Sequence, residues 1–188
     1  MVHTSKKLRY VFLTWSIFSV LLLVSSCVND LDSIRKVTFK PSDPDERTSD
    51  LMVFYTDSGY AKVQVYAKLA ETYSTPVPVI KLKDGVKINF YSDHGEIISV
   101  LTALYGEIHQ DKGTMFVRDS VQLFNYDKKQ RLETEELHWS QKDSSIYSDK
   151  AVIVRTPEAL FFGQGIKTRQ DFSTYEFLKP KGKIDLGK

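Results

Sequence analysis

Chemistry in this chain would have to come from a short set of residues: His3, His94, His109 and His138, the adjacent pair Glu135-Glu136, the acidic run Asp43-Pro44-Asp45-Glu46, a glycine-lysine pattern near residue 182, and Cys27. The histidines are scattered, and none has the paired spacing of a helix-borne metal site. His109 and His138 sit at strand ends beside polar neighbours, which reads as exposed strand side chains. Glu135 and Glu136 are neighbours in a strand, so they point to opposite faces and cannot work on one bond. The carboxylates of residues 43–46 could attract a cation, but Pro41 precedes them, Pro44 interrupts them and nothing fixes their geometry, so a solvated linker is expected. Gly182-Lys183-Ile184-Asp185-Leu186-Gly187-Lys188 matches the glycines and lysine of a phosphate loop. It lacks the Ser/Thr and the following helix that would hold phosphate and magnesium. No nucleophile stands beside a partner base. The expectation is a protein that is not an enzyme and needs neither cofactor nor metal.

Cys27 has a different chemistry. Lys6-Lys7-Leu8-Arg9 is a positive end, and Val11 to Val24 is an apolar run broken only by Thr14, Ser16 and Ser19. A helix spanning hydrocarbon needs about 20 residues, so this run suits the h-region of an export signal. Val24-Ser25-Ser26-Cys27 then resembles a bacterial lipobox, in which the cysteine becomes a lipidated first residue. Residues 1–26 are therefore read as a lipoprotein signal peptide, with an uncleaved signal anchor or an ordinary signal peptide as alternatives. Several acyl chains on one residue would hold the protein on a leaflet without a span, since each buried methylene contributes about 0.8 kcal/mol.

The elements that would carry a function are strands. Leu101, Ala103 and Tyr105 alternate with polar or small positions, and Gly113 to Val117, Val121 to Asn125, Leu132 to Trp139, Ile146 to Ser148, Ala151 to Val154 and Leu160 to Gly163 follow. Runs recurring every 8–12 residues or so are expected of an all-β sandwich or barrel. Upstream, residues 27–50 read as a tether. Leu51 to Tyr60 and Ala61 to Ala67 read as a hairpin, and Lys68 to Pro78 as irregular or an edge because of Pro76 and Pro78. Lys83-Asp84-Gly85 reads as a turn before the strand Val86 to Phe90, and Asp93-His94-Gly95-Glu96 as a tight turn. After residue 27 only Tyr66 to Tyr73 could make two turns of helix. The apolar phase of Leu132 to Trp139 slips near Glu136, so a bulge is expected there to bring Leu137 and Trp139 back to the interior.

The chain has 188 residues with 26 basic and 24 acidic side chains, and removing Lys6, Lys7 and Arg9 with an export signal turns the formal charge from +2 to −1. That balance gives no footprint for nucleic acid. A single cysteine excludes a disulfide framework or a multi-cysteine zinc site. What remains is a helix-poor sheet whose apolar face must be buried on itself, on a partner or on an apolar ligand.

Gly113-Thr114-Met115-Phe116-Val117-Arg118-Asp119-Ser120-Val121, Leu132 to Trp139, Ile146-Tyr147-Ser148-Asp149, Gly163-Gln164-Gly165-Ile166, and the tail Gln170-Asp171-Phe172, Tyr175 and Lys181-Gly182-Lys183-Ile184 together resemble the LptC family, lipoprotein-type members included. The likeness runs from about Asp50 to Ile184. It implies a twisted β-jelly roll of antiparallel strands (residues 51–188) with an open interior for the acyl chains of lipid A. It also implies a periplasmic protein, anchored at the inner membrane by Cys27. Such a protein receives lipopolysaccharide from an inner-membrane ABC transporter and passes it, edge to edge, to the next jelly roll. Relatives often carry an N-terminal transmembrane helix where this chain has a lipobox, and glycine before Leu132 where it has Asp127-Lys128-Lys129-Gln130-Arg131. Alternation puts Leu101, Ala103, Tyr105, Met115, Val117, Val121, Leu123, Trp139, Val152, Val154 and Phe162 in the interior row, as lipid contacts or as plain core. Two rivals stand beside the carrier. One is a lipoprotein scaffold with a dry core that joins partners through its sheet edges. The other is an envelope enzyme using Glu135, Glu136 and His138.

Overall fold

The computed structural model describes residues 42–74 and 76–186. The signal segment, Cys27 and the first part of the tether lie outside the described residues, as do Gly187 and Lys188. Ten strands follow in chain order: β1 (Glu46–Asp57), β2 (Tyr60–Tyr73), β3 (Val79–Tyr91), β4 (Ile97–Ala103), β5 (Tyr105–His109), β6 (Thr114–Asn125), β7 (Gln130–Ser140), β8 (Ser145–Arg155), β9 (Ala159–Arg169) and β10 (Tyr175–Asp185). They form one antiparallel sheet in the order β1-β2-β3-β4-β6-β7-β8-β9-β10, with β5 between β3 and β6. The all-β, jelly-roll-like architecture agrees with the strand spacing, and among the described residues there is no helix. Tyr66 to Tyr73, the one stretch open to a helical reading, is strand. β1 begins at Glu46, within the stretch read as tether.

Several stretches that read as turns are kinks inside long strands. Asp119 and Ser120 have φ of 68° and 56°, yet β6 runs through them from Thr114 to Asn125. β3 likewise continues through Asp84 (φ 60°) and Gly85 (φ 106°). These irregularities align across the sheet. Asp50 (φ 52°) lies level with Lys68. The β2–β3 register slips between Ala67 and Leu69, opposite Asp84-Gly85. Leu104, between β4 and β5, donates its N–H to the Asp119 carbonyl (3.0 Å) and accepts from the Gly85 N–H (3.3 Å). Slips follow between Arg118 and Val121, between Thr134 and His138, and between Ser148 and Ala151, the last opposite Gly165 (φ 73°). A bulge bends its strand and increases the local twist, so bulges stacked strand by strand make a crease.

The crease divides the sheet into two half-sheets that face each other. One carries Val63, Ile88, Phe90, Leu101, Leu123 and Val154, and the other Met115, Val117, Leu137, Trp139, Ile146 and Ile166. Both belong to one buried cluster. The bulge expected near Glu136 is present, with Leu132 buried before it and Leu137 and Trp139 after it.

Two interior assignments are corrected. Tyr105 follows the crease at Leu104, which resets the alternation: Gly106 and Ile108 turn inward, while Tyr105 packs on Phe116 on the opposite face. Phe162 pairs with the exposed Ile153, whereas Phe161 pairs with the buried Val154 and packs against the core. Cross-strand partners share a face, so the inward row of β9 is Ala159, Phe161 and Gly163.

Candidate functional site

The candidate site is the trough between the half-sheets. Leu101, Ala103, Met115, Val117, Val121, Leu123, Trp139, Val152 and Val154, nine of the eleven positions read as interior, are buried there. The row omitted the strands before residue 92: Val63, Val65, Ile88 and Phe90 extend the wall of Leu101 and Leu123, and Leu82 extends the facing one. Their signal was legible in Ala61 to Ala67 and Val86 to Phe90. The centre, bounded by Val63, Ile88, Phe90, Leu101, Met115 and Leu137 among others, is apolar and holds a cavity of only about 10 Å³. That is room for about one water. The walls are in contact, so anything the size of an acyl chain must part them.

Two closures hold the walls together away from the crease. At one, the turn between β9 and β10 inserts Phe172, fully buried with φ 49°. Asn125 Nδ2 donates to the Asp171 carbonyl at 2.6 Å, Ser99 Oγ donates to the same oxygen at 3.3 Å, and Lys128 Nζ donates to the Ser173 carbonyl. Asn125 Oδ1 in turn accepts from the Lys128 N–H at 2.7 Å. At the other, the Tyr55 ring meets Trp139 edge to face, centroids 5.4 Å apart. Burial pushes the Tyr55 hydroxyl pKa above its ordinary value. Outside this contact a polar cleft of about 410 Å³ opens between the half-sheets.

The residues with chemical potential lie elsewhere. His138 Nε2 lies 2.8 Å from Glu136 Oε1, a carboxylate–imidazole pair two residues apart on the outer face. Both faces of its ring are covered, by Phe116 (5.7 Å) and by Tyr147 (4.8 Å, 12° between planes). Tyr105 extends this column, and its hydroxyl pKa is raised by burial and by a hydrogen bond to Glu107. Glu71 is a buried carboxylate held by Lys83 Nζ (2.6 Å), Tyr73 OH (2.9 Å) and Arg47 Nε (3.0 Å). These partners, Lys83 foremost, outweigh its burial and lower its pKa to about 2. Gly182 to Asp185 of the phosphate-loop pattern lie in β10, a strand rather than a loop opening a helix. Among the described residues no group of three His, Cys, Asp or Glu is placed to hold a metal.

The ends of the sheet complete the site. β1 pairs only with β2 and β10 only with β9, so each leaves one backbone edge unpaired among the described strands. Large apolar side chains are exposed on both, Met52 and Phe54 on β1 and Leu178 and Ile184 on β10. The described strands thus form one creased antiparallel sheet with two open edges and an apolar trough between its halves. The family model for lipopolysaccharide assembly, LptC-related, matches residues 17–180, and the chain belongs to the LptC family. Comparison with curated proteins finds no match. The family is periplasmic and envelope-associated and takes part in the lipopolysaccharide transport bridge, a transport role rather than a known enzymatic one. No helix of the described residues is long and apolar enough to cross a membrane.

Proposed function

We propose that this protein is a membrane-anchored lipopolysaccharide carrier, exported by residues 1–26 and held at the inner membrane by a lipid on Cys27. It accepts lipopolysaccharide from an inner-membrane ABC transporter, shelters the acyl chains of lipid A between its half-sheets, and passes the molecule to a similar jelly roll paired with one of its free edges. The observation that carries the reading is the apolar trough in a sheet whose two end strands each leave one edge unpaired among the described strands. Transfer between two similar apolar troughs changes little buried area and so needs little net free energy. The driving work is ATP hydrolysis at the transporter.

The nearly filled interior favours one other reading, a scaffold whose dry core only supports its edges. A photo-crosslinking residue at Leu123 in cells separates the two. The carrier gives a lipopolysaccharide adduct that weakens when the transporter's ATPase is inactivated. A folded, membrane-bound protein that gives no adduct at Leu123, Met115 or Val152 is the scaffold.

A further inference from the structure

We infer that the polar cleft beside Trp139 is a head-group subsite for an uncharged, hydroxyl-bearing group such as a saccharide, and that it rejects phosphate. This rests on the trough taking the apolar part of the same amphiphile. Trp139 and Val63 line both the apolar centre and the cleft, so the two form one continuous path from apolar to polar. Trp139 is 8% exposed, and its buried indole N–H has no acceptor among the described residues. A buried N–H without a partner costs about 1–3 kcal/mol, and a ligand oxygen that enters from the cleft by parting the Tyr55–Trp139 contact would recover that. Tyr55 stands beside it, giving two aromatic rings at the floor.

Charge decides which kind of oxygen. The ionic side chains lining the cleft are Lys62, Asp57 and Asp93. Lys62 Nζ is already bound to Asp93 at 2.5 Å, which leaves the cleft with a net negative charge from Asp57. An incoming phosphate would meet repulsion and find no unpaired cation among the lining residues. The rest of the polar lining, Thr56, Tyr91, Gln141, Ser144 and Gln170, offers hydroxyls and amides. These can both donate to and accept from hydroxyl groups. Aromatic floor, neutral donors and acceptors, and surplus carboxylate together suit a sugar. The remainder of a larger amphiphile, including any phosphate, would project away from this cleft.

The test uses the lipidated protein beginning at Cys27, in which Trp139 is the only tryptophan, in lipid nanodiscs, with empty nanodiscs as the reference. Octyl glucoside and octyl phosphate are titrated below their micelle-forming concentrations, reading Trp139 fluorescence and calorimetric affinity. Octyl glucoside should bind at least tenfold more tightly and shift the Trp139 emission. Trp139→Phe should weaken glucoside binding by roughly tenfold, the value of one hydrogen bond, and leave octyl phosphate unchanged. Asp57→Lys, at the exposed last position of β1, should reverse the preference without disturbing the core. Equal or tighter binding of octyl phosphate, or glucoside binding indifferent to Trp139→Phe, overturns the subsite. If neither probe binds, the subsite also falls, and the Leu123 adduct then shows whether the trough reading falls with it.

Discussion

At the scale of single residues, Glu71 ties ionisation to the fold. It joins the first three strands, because Arg47 is on β1, Tyr73 on its own strand and Lys83 on β3. Its folded-state pKa is depressed from 4.5 to about 2. The stability it contributes is therefore fully present above about pH 4.5 and is lost as pH falls towards 2. Glu71→Gln should lower unfolding stability at pH 7 by about 2 kcal/mol, the scale of hydrogen bonds to a charged group. Denaturant titrations at pH 7, 4.5 and 2.5 check this, and the gap between the two proteins should close as the pH falls. Gly163 makes a second residue-scale case. A Cβ there would lie 2.7 Å from Phe177 Cδ1 and 2.8 Å from the Lys179 carbonyl, both on β10. The backbone oxygen cannot swing aside as a side chain could, so Gly163→Ala should cost about 1–3 kcal/mol. Faster amide exchange confined to β9 and β10 would mark the loosened edge.

The crease governs the scale of elements. Consecutive residues at positive φ are rare without glycine, and each costs about 1–2 kcal/mol in the left-handed region. Asp119 and Ser120 hold that conformation while the Asp119 carbonyl accepts from Leu104. Ser120→Val should therefore destabilise the protein by about 2 kcal/mol, since a branched Cβ fits poorly at φ 56°. Ser120→Gly, which tolerates that φ, should be neutral to within about 0.5 kcal/mol. Thermal unfolding of the two variants side by side separates backbone conformation from loss of the hydroxyl. The same crease explains what could be read in the chain and what could not. Alternation found the strands and most of their inward residues, because burial of one face imposes a period of two. It could not distinguish Asp119-Ser120 or Asp84-Gly85 as bulges from the turns they resemble, because turns and bulges use the same residues. Each bulge also resets the phase, so Tyr105, one step beyond Leu104, was assigned to the wrong face. Phe162 failed differently: Leu160 to Gly163 is apolar on both faces, and only pairing with Val152 and Val154 sets its phase. The cleft beside Trp139 had no local signal, since Asp57, Lys62, Asp93 and Gln141 meet only once the sheet folds over.

For the whole molecule the question is how a trough with a cavity of about 10 Å³ takes up an acyl chain. Its two walls are continuous through the crease, so they can part only on the side where Phe172 and the Tyr55–Trp139 contact hold them. The Phe172 turn is the stronger hold. It combines a buried ring with the Asn125, Ser99 and Lys128 hydrogen bonds, and all three donors belong to strands or turns of the facing wall. Phe172→Ala removes the ring and leaves those hydrogen bonds in place, and should cost about 3–5 kcal/mol as a large-to-small core change. Under the carrier reading that lost stability is part of the work of opening. The variant should then give several times more lipopolysaccharide adduct from a crosslinker at Leu123 than the parent does, measured per folded molecule in cells at equal expression. Under the scaffold reading the same substitution lowers the melting temperature and leaves the adduct at background. The paired measurement thus distinguishes a core that is merely weakened from a container whose closure has been loosened.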